Sequence, residues 1–264
     1  MQKKLKFLQE QLATYDRLAV AFSGGVDSAF LLLSAFQVLD IKALAVTVVG
    51  SYFSPDETDR AKEFCTKHGI PHLMLHMNEE LTDSFSHNPP NRCYLCKKSI
   101  FQLIQQSLGD IPIADGSNLD DLDDYRPGQK ALHDLDIVSP LLDAGFTKQD
   151  IRTGLIAMNE PLWNEPPCAC LASRIPYGST ITAEKLHAVY RAETILHQLG
   201  FLQVRVRHHG SVARIEVAKE ELPKFFDKDV MEKINHQIRQ AGFNHVSLDL
   251  AGYEQGSLNK DICL

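Results

Sequence analysis

Apolar runs and amphipathic stretches alternate along the first part of the chain. Residues 18–22 and 43–49 are uninterrupted apolar runs of the length of a buried strand, and the stretch between them has a helical pattern. Strand, helix and strand in this order predict a βαβ unit. Ser54 is a suitable N-cap and Pro55 a favoured first-turn residue, so a further helix is predicted to begin there and to end near Gly69.

The same alternation continues after this helix. Strands are predicted at 72–77, 112–114 and 137–139, each separated from the next by a helical stretch. Alternating strands and helices predict an α/β fold, a doubly wound parallel sheet, with ligands beyond the carboxyl ends of the strands. We assign this fold to a first domain at residues 1–165.

The pattern changes near residue 166. A long helix is predicted at 183–199, followed by alternating strands at 202–207 and 212–217 and by a last strand at 245–250. His208 and His209 are predicted to be turn residues between the first two of these strands. Residues 166–264 are therefore predicted to form a smaller α+β domain.

Composition narrows the classes of function. The chain has 264 residues, 44% of them apolar, which is enough for a substantial core. A formal net charge of −7 disfavours nucleic acid as a partner, because binding a polyphosphate backbone needs positive charge. No apolar run has the length of a membrane span. We expect a cytoplasmic protein that is not bound to a membrane and forms a homo-oligomer.

A glycine pair follows the first buried strand and precedes a helix. Such a turn directs backbone N–H groups and the N-terminus of the next helix at an anion, which predicts a phosphate-binding loop. Asp27 fits among phosphate groups mainly if a Mg²⁺ ion bridges it to the nucleotide. The Gly-Lys-Ser/Thr ending of a Walker A loop is absent. The residues of the loop are Ser23, Gly24, Gly25, Val26, Asp27 and Ser28.

Six cysteines are present, and four of them form two close pairs. Cys93 and Cys96 have the spacing at which two thiolates reach one metal ion, and Cys168 and Cys170 offer a third ligand. Three thiolates could hold an iron–sulfur cluster with one iron open, and closed structural zinc is the competing interpretation. Arg174 lies four residues after Cys170, and its positive charge makes Cys170 the candidate for a reactive thiol.

The two remaining cysteines are not assigned a function. We interpret Cys65 as a core residue of an amphipathic helix and Cys263 as an incidental thiol in the tail.

A basic strand is predicted in the smaller domain. Arg205 and Arg207 share one of its faces, because side chains two residues apart in a strand point the same way. This face suits the phosphate of a mononucleotide, although a solvated strand face is the alternative. Glu216 on the following strand is expected either to balance these arginines or, as a weaker hypothesis, to bind a metal ion.

Two segments carry a resemblance to known enzymes. Residues 23–28 (Ser-Gly-Gly-Val-Asp-Ser) resemble the SGGxDS signature of the PP-loop ATP pyrophosphatases, which have a HUP-like fold, and residues 115–121 (Asp-Gly-Ser-Asn-Leu-Asp-Asp) are similar to their GxNxDD segment. Residues 167–178 (Pro-Cys-Ala-Cys-Leu-Ala-Ser-Arg-Ile-Pro-Tyr-Gly), together with 116–128, look like the LarE family. That family comprises the sulfur transferases, or sulfur insertases, that build the nickel-pincer nucleotide of lactate racemase.

The resemblance implies an activity and its cofactors. ATP, with Mg²⁺, would adenylate a carboxylate of a pyridinium dicarboxylic acid mononucleotide, and a sulfur nucleophile would displace AMP to leave a thiocarboxylate. In one branch of the family the sulfur comes from a cysteine that becomes dehydroalanine, and Cys170 matches that position. In the other branch three cysteines hold a 4Fe-4S cluster, and the presence of Cys93 and Cys96 beside Cys170 favours this branch.

The expected site follows from the motifs and the resemblance together. Cys170, Asp27 and Arg174 are the expected catalytic residues, and Arg205 and Arg207 are expected to bind the substrate phosphate. The expected nucleotide-binding residues are those of the phosphate loop with Thr47, Gly116 and Asp121. The expected cluster ligands are Cys93, Cys96 and Cys170, although spacing alone does not choose between Cys168 and Cys170.

Two other functions share some of these features. A tRNA-thiolating PP-loop enzyme would use the same ATP loop, but it should carry a broad basic surface or an added RNA-binding domain. A non-catalytic nucleotide sensor would hold zinc with the same cysteines.

Overall fold

The computed structural model describes residues 1–122, 127–164 and 170–254. The chain divides into two compact units, and the second includes a short segment from the middle of the first. The first unit comprises Met1–Ser84 and Asn91–Cys168, and the second comprises Phe85–Pro90 and Ala169–Leu264.

The first unit alternates strands and helices, as its sequence pattern predicts. Its strands are β1 (Leu18–Ala21), β2 (Ala43–Val49), β3 (His72–His76) and β4 (Ile113–Ala114). Its helices are α1 (Gln2–Leu12), α2 (Val26–Leu39), α3 (Pro55–His68), α4 (Glu79–Ser86, ending in the second unit), α5 (Arg92–Leu108), α6 (Pro127–Asp134), α7 (Pro140–Asp143) and α8 (Lys148–Ala157).

The four strands form one parallel sheet in the order β3-β2-β1-β4. Alternate residues of β1 enter different cores: Leu18 and Val20 pack with residues of α2 and α8, whereas Ala19 packs with residues of α5. Helices therefore cover both faces of the sheet, which explains the continuous apolar runs of its strands. The predicted α/β fold with a doubly wound parallel sheet is confirmed.

The predicted start and end of α3 are confirmed. The Ser54 hydroxyl accepts a hydrogen bond from the N–H of Asp56 at 3.2 Å, and Gly69 ends the helix with φ at +66°. Cys65, on this helix, is 2% exposed, and burial raises the pKa of its thiol to about 12. Cys65 is the core residue that the helical pattern predicts.

The strand predicted at 137–139 is much smaller than expected. Val138 makes a single parallel bridge to Ala114, and the chain turns into α7 at Pro140. A short apolar run beside a proline therefore contributes only one ladder position to the edge of the sheet.

The second unit is built on a three-stranded sheet. Its elements are α9 (Ala183–Gln198), β5 (Val204–His209), β6 (Val212–Val217), α10 (Lys228–Gln240) and β7 (His245–Leu248). β5 and β6 are antiparallel, and β6 and β7 are parallel. The smaller α+β fold is confirmed.

One local prediction in this unit is wrong. His208 and His209 lie in β5, where they pair with Ala213 and Val212, and are not turn residues. The ring of His208 packs against Phe243 at a centroid distance of 5.1 Å, so this side chain is part of the packing between the sheet and the chain after α10. The turn is confined to Gly210, which has φ at +62°, and Ser211.

The segment 85–90 is bound tightly within the second unit. The buried Asn88 donates to the carbonyl oxygens of Ile175 and Pro176 at 3.0 and 2.7 Å, and its own carbonyl accepts from the N–H of Gly178. Asn88 has φ at +55°, a left-handed conformation that asparagine tolerates better than most residues. Among the described helices, none has both the length and the apolar character needed to cross a bilayer.

Candidate active site

The phosphate loop lies between β1 and α2. Gly24 has φ at +75°, and a Cβ atom there would lie 3.0 Å from the carbonyl oxygen of Glu57, so this position requires glycine on two grounds. Ser23 Oγ and Ser28 Oγ are 3.3 Å apart, and Ser28 Oγ also donates to the carbonyl oxygen of Gly25. These hydrogen bonds between the two ends of the loop stabilise its conformation next to the N-terminus of α2. Asp27 lies in the first turn of that helix.

The segment after β4 is packed directly against this loop. A Cβ atom at Gly116 would lie 2.9 Å from the backbone nitrogen of Ser28, closer than real side chains approach. Only glycine fits there without displacing the start of α2. The structure thus brings Gly116, a predicted nucleotide-binding residue, to the phosphate loop.

Buried polar groups hold this segment in place. Asp115 accepts from the hydroxyls of Ser117 and Ser139 at 2.6 and 2.7 Å, and Lys97 Nζ lies 3.7 Å from its carboxylate. Asp121, which is 5% exposed, has Lys148 Nζ at 3.3 Å. Hydrogen bonds to a buried carboxylate fix the segment's backbone, so its conformation is set before a ligand binds.

A cavity of about 110 Å³ opens beside the phosphate loop at the carboxyl ends of β1 and β2. This is the edge at which parallel α/β sheets bind ligands. Its lining is mainly apolar, with a few polar side chains. The lining includes Phe22, Ser23, Thr47, Phe53, Glu57, Thr58 and Ile100. Thr47, a predicted nucleotide-binding residue, therefore lies at this cavity.

Cys93 and Cys96 are the second and fifth residues of α5, three residues apart and thus on neighbouring positions of the helix surface. Cys93 is exposed and Cys96 is partly exposed, and the guanidinium of the buried Arg92 lies 3.9 Å from Cys93 Sγ. Neither cysteine forms a disulfide. Two accessible thiols beside a helix N-terminus are suited to metal or sulfur chemistry.

Cys170 begins a short helical turn at residues 171–174 of the second unit. Arg174 donates from Nη1 to the carbonyl oxygen of Cys170 at 3.0 Å and to Ser173 Oγ at 3.0 Å. The other edge of this guanidinium binds both carboxylate oxygens of Glu193 on α9. Arg174 therefore fixes the backbone on which the Cys170 thiol is carried.

The basic strand is built around a buried carboxylate. Glu216 is 0% exposed and accepts from Arg207 at 2.7 Å and from Arg214 at 2.9 Å. Arg207 also donates to the carbonyl oxygen of Ser173 at 2.9 Å, which brings β5 to the Cys170 turn. Glu216 thus balances the arginines, the first of its two expected roles.

Arg205, on the same strand, donates to the carbonyl oxygen of Val204 at 2.6 Å. Its guanidinium lies over the ring of Tyr253 at 5.5 Å from the centroid, and burial, followed by the charge of Arg174, lowers its pKa. Arg174 and Arg207 therefore act on Arg205 as nearby positive charges, which Glu193 and Tyr253 partly offset. A negatively charged ligand would relieve that repulsion.

The structure therefore gathers the predicted residues into two groups. Ser23–Ser28, Thr47, Gly116 and Asp121 belong to the first unit, as do Cys93 and Cys96, whereas Cys170, Arg174, Arg205, Arg207 and Glu216 belong to the second. Cys168 and Cys263 lie outside the described residues. Among the residues that are described, no three His, Cys, Asp or Glu side chains are grouped to hold a metal ion.

Glu193 was not predicted as part of the site. Its signal in the sequence is a charged residue on the apolar face of α9, in line with Leu186, Val189 and Leu196. A buried helical face admits a carboxylate only when it is paired, so this position indicates a buried cation nearby.

A buried strand, an SGGxDS turn and a helix on a parallel sheet define a PP-loop ATP pyrophosphatase. Residues 7–90 match the asparagine synthase family. The chain is 32% identical over 252 residues, 94% of this chain and 91% of the relative, to the pyridinium-3,5-bisthiocarboxylic acid mononucleotide synthase of Lactiplantibacillus plantarum. The chain belongs to the LarE family of ATP-dependent sulfur transferases.

Two further relatives span nearly the whole chain. An uncharacterised protein of Synechocystis is 38% identical over 263 residues, 98% of each chain. An uncharacterised protein of Methanocaldococcus jannaschii is 30% identical over 254 residues, covering 95% of this chain and 96% of the relative.

Proposed function

We propose that this chain adenylates a carboxylate of a pyridinium dicarboxylic acid mononucleotide and converts it to a thiocarboxylate, as a step in nickel-pincer nucleotide synthesis. The similarity along 94% of the chain to a pyridinium-3,5-bisthiocarboxylic acid mononucleotide synthase carries this proposal. The preformed phosphate loop and the ordered turn at Cys170 support it. The first unit would supply ATP chemistry and the second unit substrate binding and sulfur transfer.

The first step is adenylation. A carboxylate oxygen of the substrate attacks the α-phosphorus of ATP, and pyrophosphate leaves. The amides of the phosphate loop and the N-terminus of α2 stabilise the negative charge of the leaving group. Asp27, in the first turn of α2, would hold Mg²⁺, which neutralises phosphate charge when it is bound.

The second step is sulfur transfer. A sulfur nucleophile attacks the acyl carbon of the adenylate, AMP leaves, and a thiocarboxylate remains. Arg205 and Arg207 would bind the phosphate of the mononucleotide. We favour Arg205 as the direct ligand, since Arg205 is partly exposed whereas Arg207 is only 5% exposed.

We propose Cys93, Cys96 and Cys170 as ligands of a 4Fe-4S cluster. The donor chemistry suits a cluster, because all three are thiols outside disulfides and none is fully buried. When it is bound, such a cluster supplies a sulfide on the iron that no cysteine ligates. The alternative is the sacrificial branch, in which the Cβ–Sγ bond of Cys170 breaks, the sulfur leaves with the product, and dehydroalanine remains.

Three measurements test the proposal. Pyrophosphate release from ATP should depend on the pyridinium substrate, and release with bulk tRNA in its place would favour a tRNA-thiolating enzyme. Iron and labile sulfide in anaerobically purified protein support the cluster, whereas one zinc per chain without turnover supports a zinc-binding sensor. A loss of about 34 Da after turnover without added sulfide, the mass of H₂S, would show that a cysteine of the chain supplied the sulfur, as the sacrificial branch at Cys170 requires.

A further inference from the structure

A chain of hydrogen bonds connects β3 to the entrance of the phosphate loop. Thr47 Oγ1 donates to the carbonyl oxygen of Phe22 at 2.7 Å, and His72 Nε2 lies 2.7 Å from the same hydroxyl. A threonine hydroxyl has one proton, which Thr47 uses on the carbonyl. His72 must therefore be the donor, with its proton on Nε2.

This chain acts on a specific peptide group. Phe22 makes the last ladder bond of β1, from its N–H to the carbonyl oxygen of Val46 at 2.8 Å, and the next residue, Ser23, opens the phosphate loop. In a trans peptide the C=O and the following N–H point in opposite directions. Holding the Phe22 carbonyl toward Thr47 on β2 therefore turns the N–H of Ser23 away from β2.

The surroundings keep the chain intact. Phe22 and Thr47 are 2% and 5% exposed, so water does not compete effectively for these groups. The ring of His72 packs edge-on against Phe22 with centroids 6.5 Å apart. Burial, followed by the charge of Lys62, lowers the pKa of His72, which favours the neutral ring. The neutral tautomer with its proton on Nε2 and the charged ring both carry this proton, so His72 can donate to Thr47 in either state.

We propose that His72 is a positioning residue for ATP, which sets the direction of the Ser23 N–H through Thr47 and so prepares the phosphate loop for the phosphate tail. This inference rests on the proposed ATP chemistry of the loop. It assigns a role to a residue that does not line the cavity beside the loop.

The test compares two ligands that differ in their phosphates. Calorimetry on the full chain measures the binding of ATP with Mg²⁺ and of adenosine. His72→Leu and Thr47→Val should each weaken ATP binding by about tenfold, because Thr47→Val removes the donor to the Phe22 carbonyl and His72→Leu removes the group that orients that donor. The double variant should be no weaker than either single one, since both remove the same chain. Adenosine binding should change much less than ATP binding.

Two variants separate positioning from a general structural role. His72→Gln places an amide N–H at a similar reach and should recover most of the lost ATP affinity. His76→Leu, at the exposed end of the same strand, should leave ATP binding unchanged. If His72→Leu does not fold, His72→Phe, which keeps an aromatic ring against Phe22 and removes the donor, takes its place in the comparison.

The outcomes are distinguishable. Equal losses for ATP and adenosine, or no loss for ATP in the two single variants, would overturn the role of His72. Absence of ATP binding in the unaltered chain would instead overturn the proposed function.

Discussion

Arg174 and Glu193 form a two-pronged ion pair, with Nε to Oε1 at 2.8 Å and Nη2 to Oε2 at 2.9 Å, and both side chains are nearly fully buried. Glu193 Oε1 also accepts from the N–H of Val206 in β5. One carboxylate therefore joins α9, the strand that carries Arg205, and the turn that carries Cys170.

Replacing Glu193 by alanine should destabilise the second unit and impair sulfur transfer. The substitution leaves the guanidinium of Arg174 buried without its counter-charge, which costs about 3 kcal/mol of unfolding free energy. Urea denaturation measures this cost. Glu184→Ala on the same helix is the matched control and should change the free energy of unfolding much less, because Glu184 is exposed. Equal effects of the two variants would contradict the importance of the pair.

A methyl group at Gly116 should disturb the phosphate loop. The added Cβ would meet the backbone of Ser28 at 2.9 Å, and backbone cannot move aside as a flexible side chain can. We expect Gly116→Ala to weaken ATP binding by about tenfold or more, measured by calorimetry.

Gly128→Ala is the control for that variant. A Cβ there meets only side-chain carbons of Lys97, the nearest at 2.8 Å, and these can shift. Because Lys97 also contacts Asp115, a small loss of ATP affinity is expected, well below that of Gly116→Ala. A Gly116→Ala protein that binds ATP normally would mean that the segment 115–121 does not support the loop.

Asp27→Ala should remove pyrophosphate release while the fold persists. The substitution takes away the carboxylate proposed to hold Mg²⁺ at the start of α2, and a fall of about a hundredfold or more is expected. Asp56→Ala, an exposed first-turn aspartate of α3, should leave the rate unchanged. Undiminished ATP turnover in Asp27→Ala would refute the metal-binding role.

The sequence predicts the sheet well because parallel strands covered on both faces must be continuously apolar. Residues 43–49 coincide with β2 for this reason. The pattern fails at His208 and His209, where polarity suggests a turn although His208 packs its ring on Phe243. The Gly210-Ser211 pair, a typical two-residue hairpin turn, predicts correctly that the strand continues through His209.

The site was likewise predictable where it depends on neighbouring residues in the chain, and not where it depends on tertiary packing. The phosphate loop follows from local rules, since glycines, a strand and a helix start lie next to one another in the chain. The pairing of Arg174 with Glu193 and of Arg207 with Glu216 depends on how α9 and the sheet pack. The positive charges of Arg205 and Arg207 therefore predicted two accessible phosphate ligands, whereas in the structure Arg207 is paired with the buried carboxylate of Glu216.

Acid should weaken the contact between α1 and α8. Asp150 accepts from Lys4 Nζ at 2.6 Å, and chiefly this hydrogen bond lowers the pKa of Asp150 to about 2. Because the pKa is lower in the folded chain, the added stability is present above the unfolded value of about 4 and is lost as pH falls toward 2.

Lys4→Met tests this dependence by urea denaturation between pH 3 and 7. The variant should lose at most about 1 kcal/mol at pH 7, since both side chains are partly exposed, and the difference from the unaltered chain should shrink as pH falls. Lys6→Met should change little, because Lys6 and Glu10 are largely exposed. A difference that grows in acid would contradict the ion pair's role.

Cys170→Ala should separate the two chemical steps. The proposed adenylation relies on the phosphate loop of the first unit, so pyrophosphate release that depends on the pyridinium substrate should persist, while thiocarboxylate formation should stop. Cys65→Ala is the matched control: the Cys65 thiol is buried with its pKa raised to about 12, and its loss should leave sulfur transfer intact. Product analysis by mass spectrometry after a single turnover measures both steps. If Cys170→Ala lost pyrophosphate release together with sulfur transfer, the Cys170 thiol would have a structural role, and the assignment of the sulfur chemistry to this turn would be wrong.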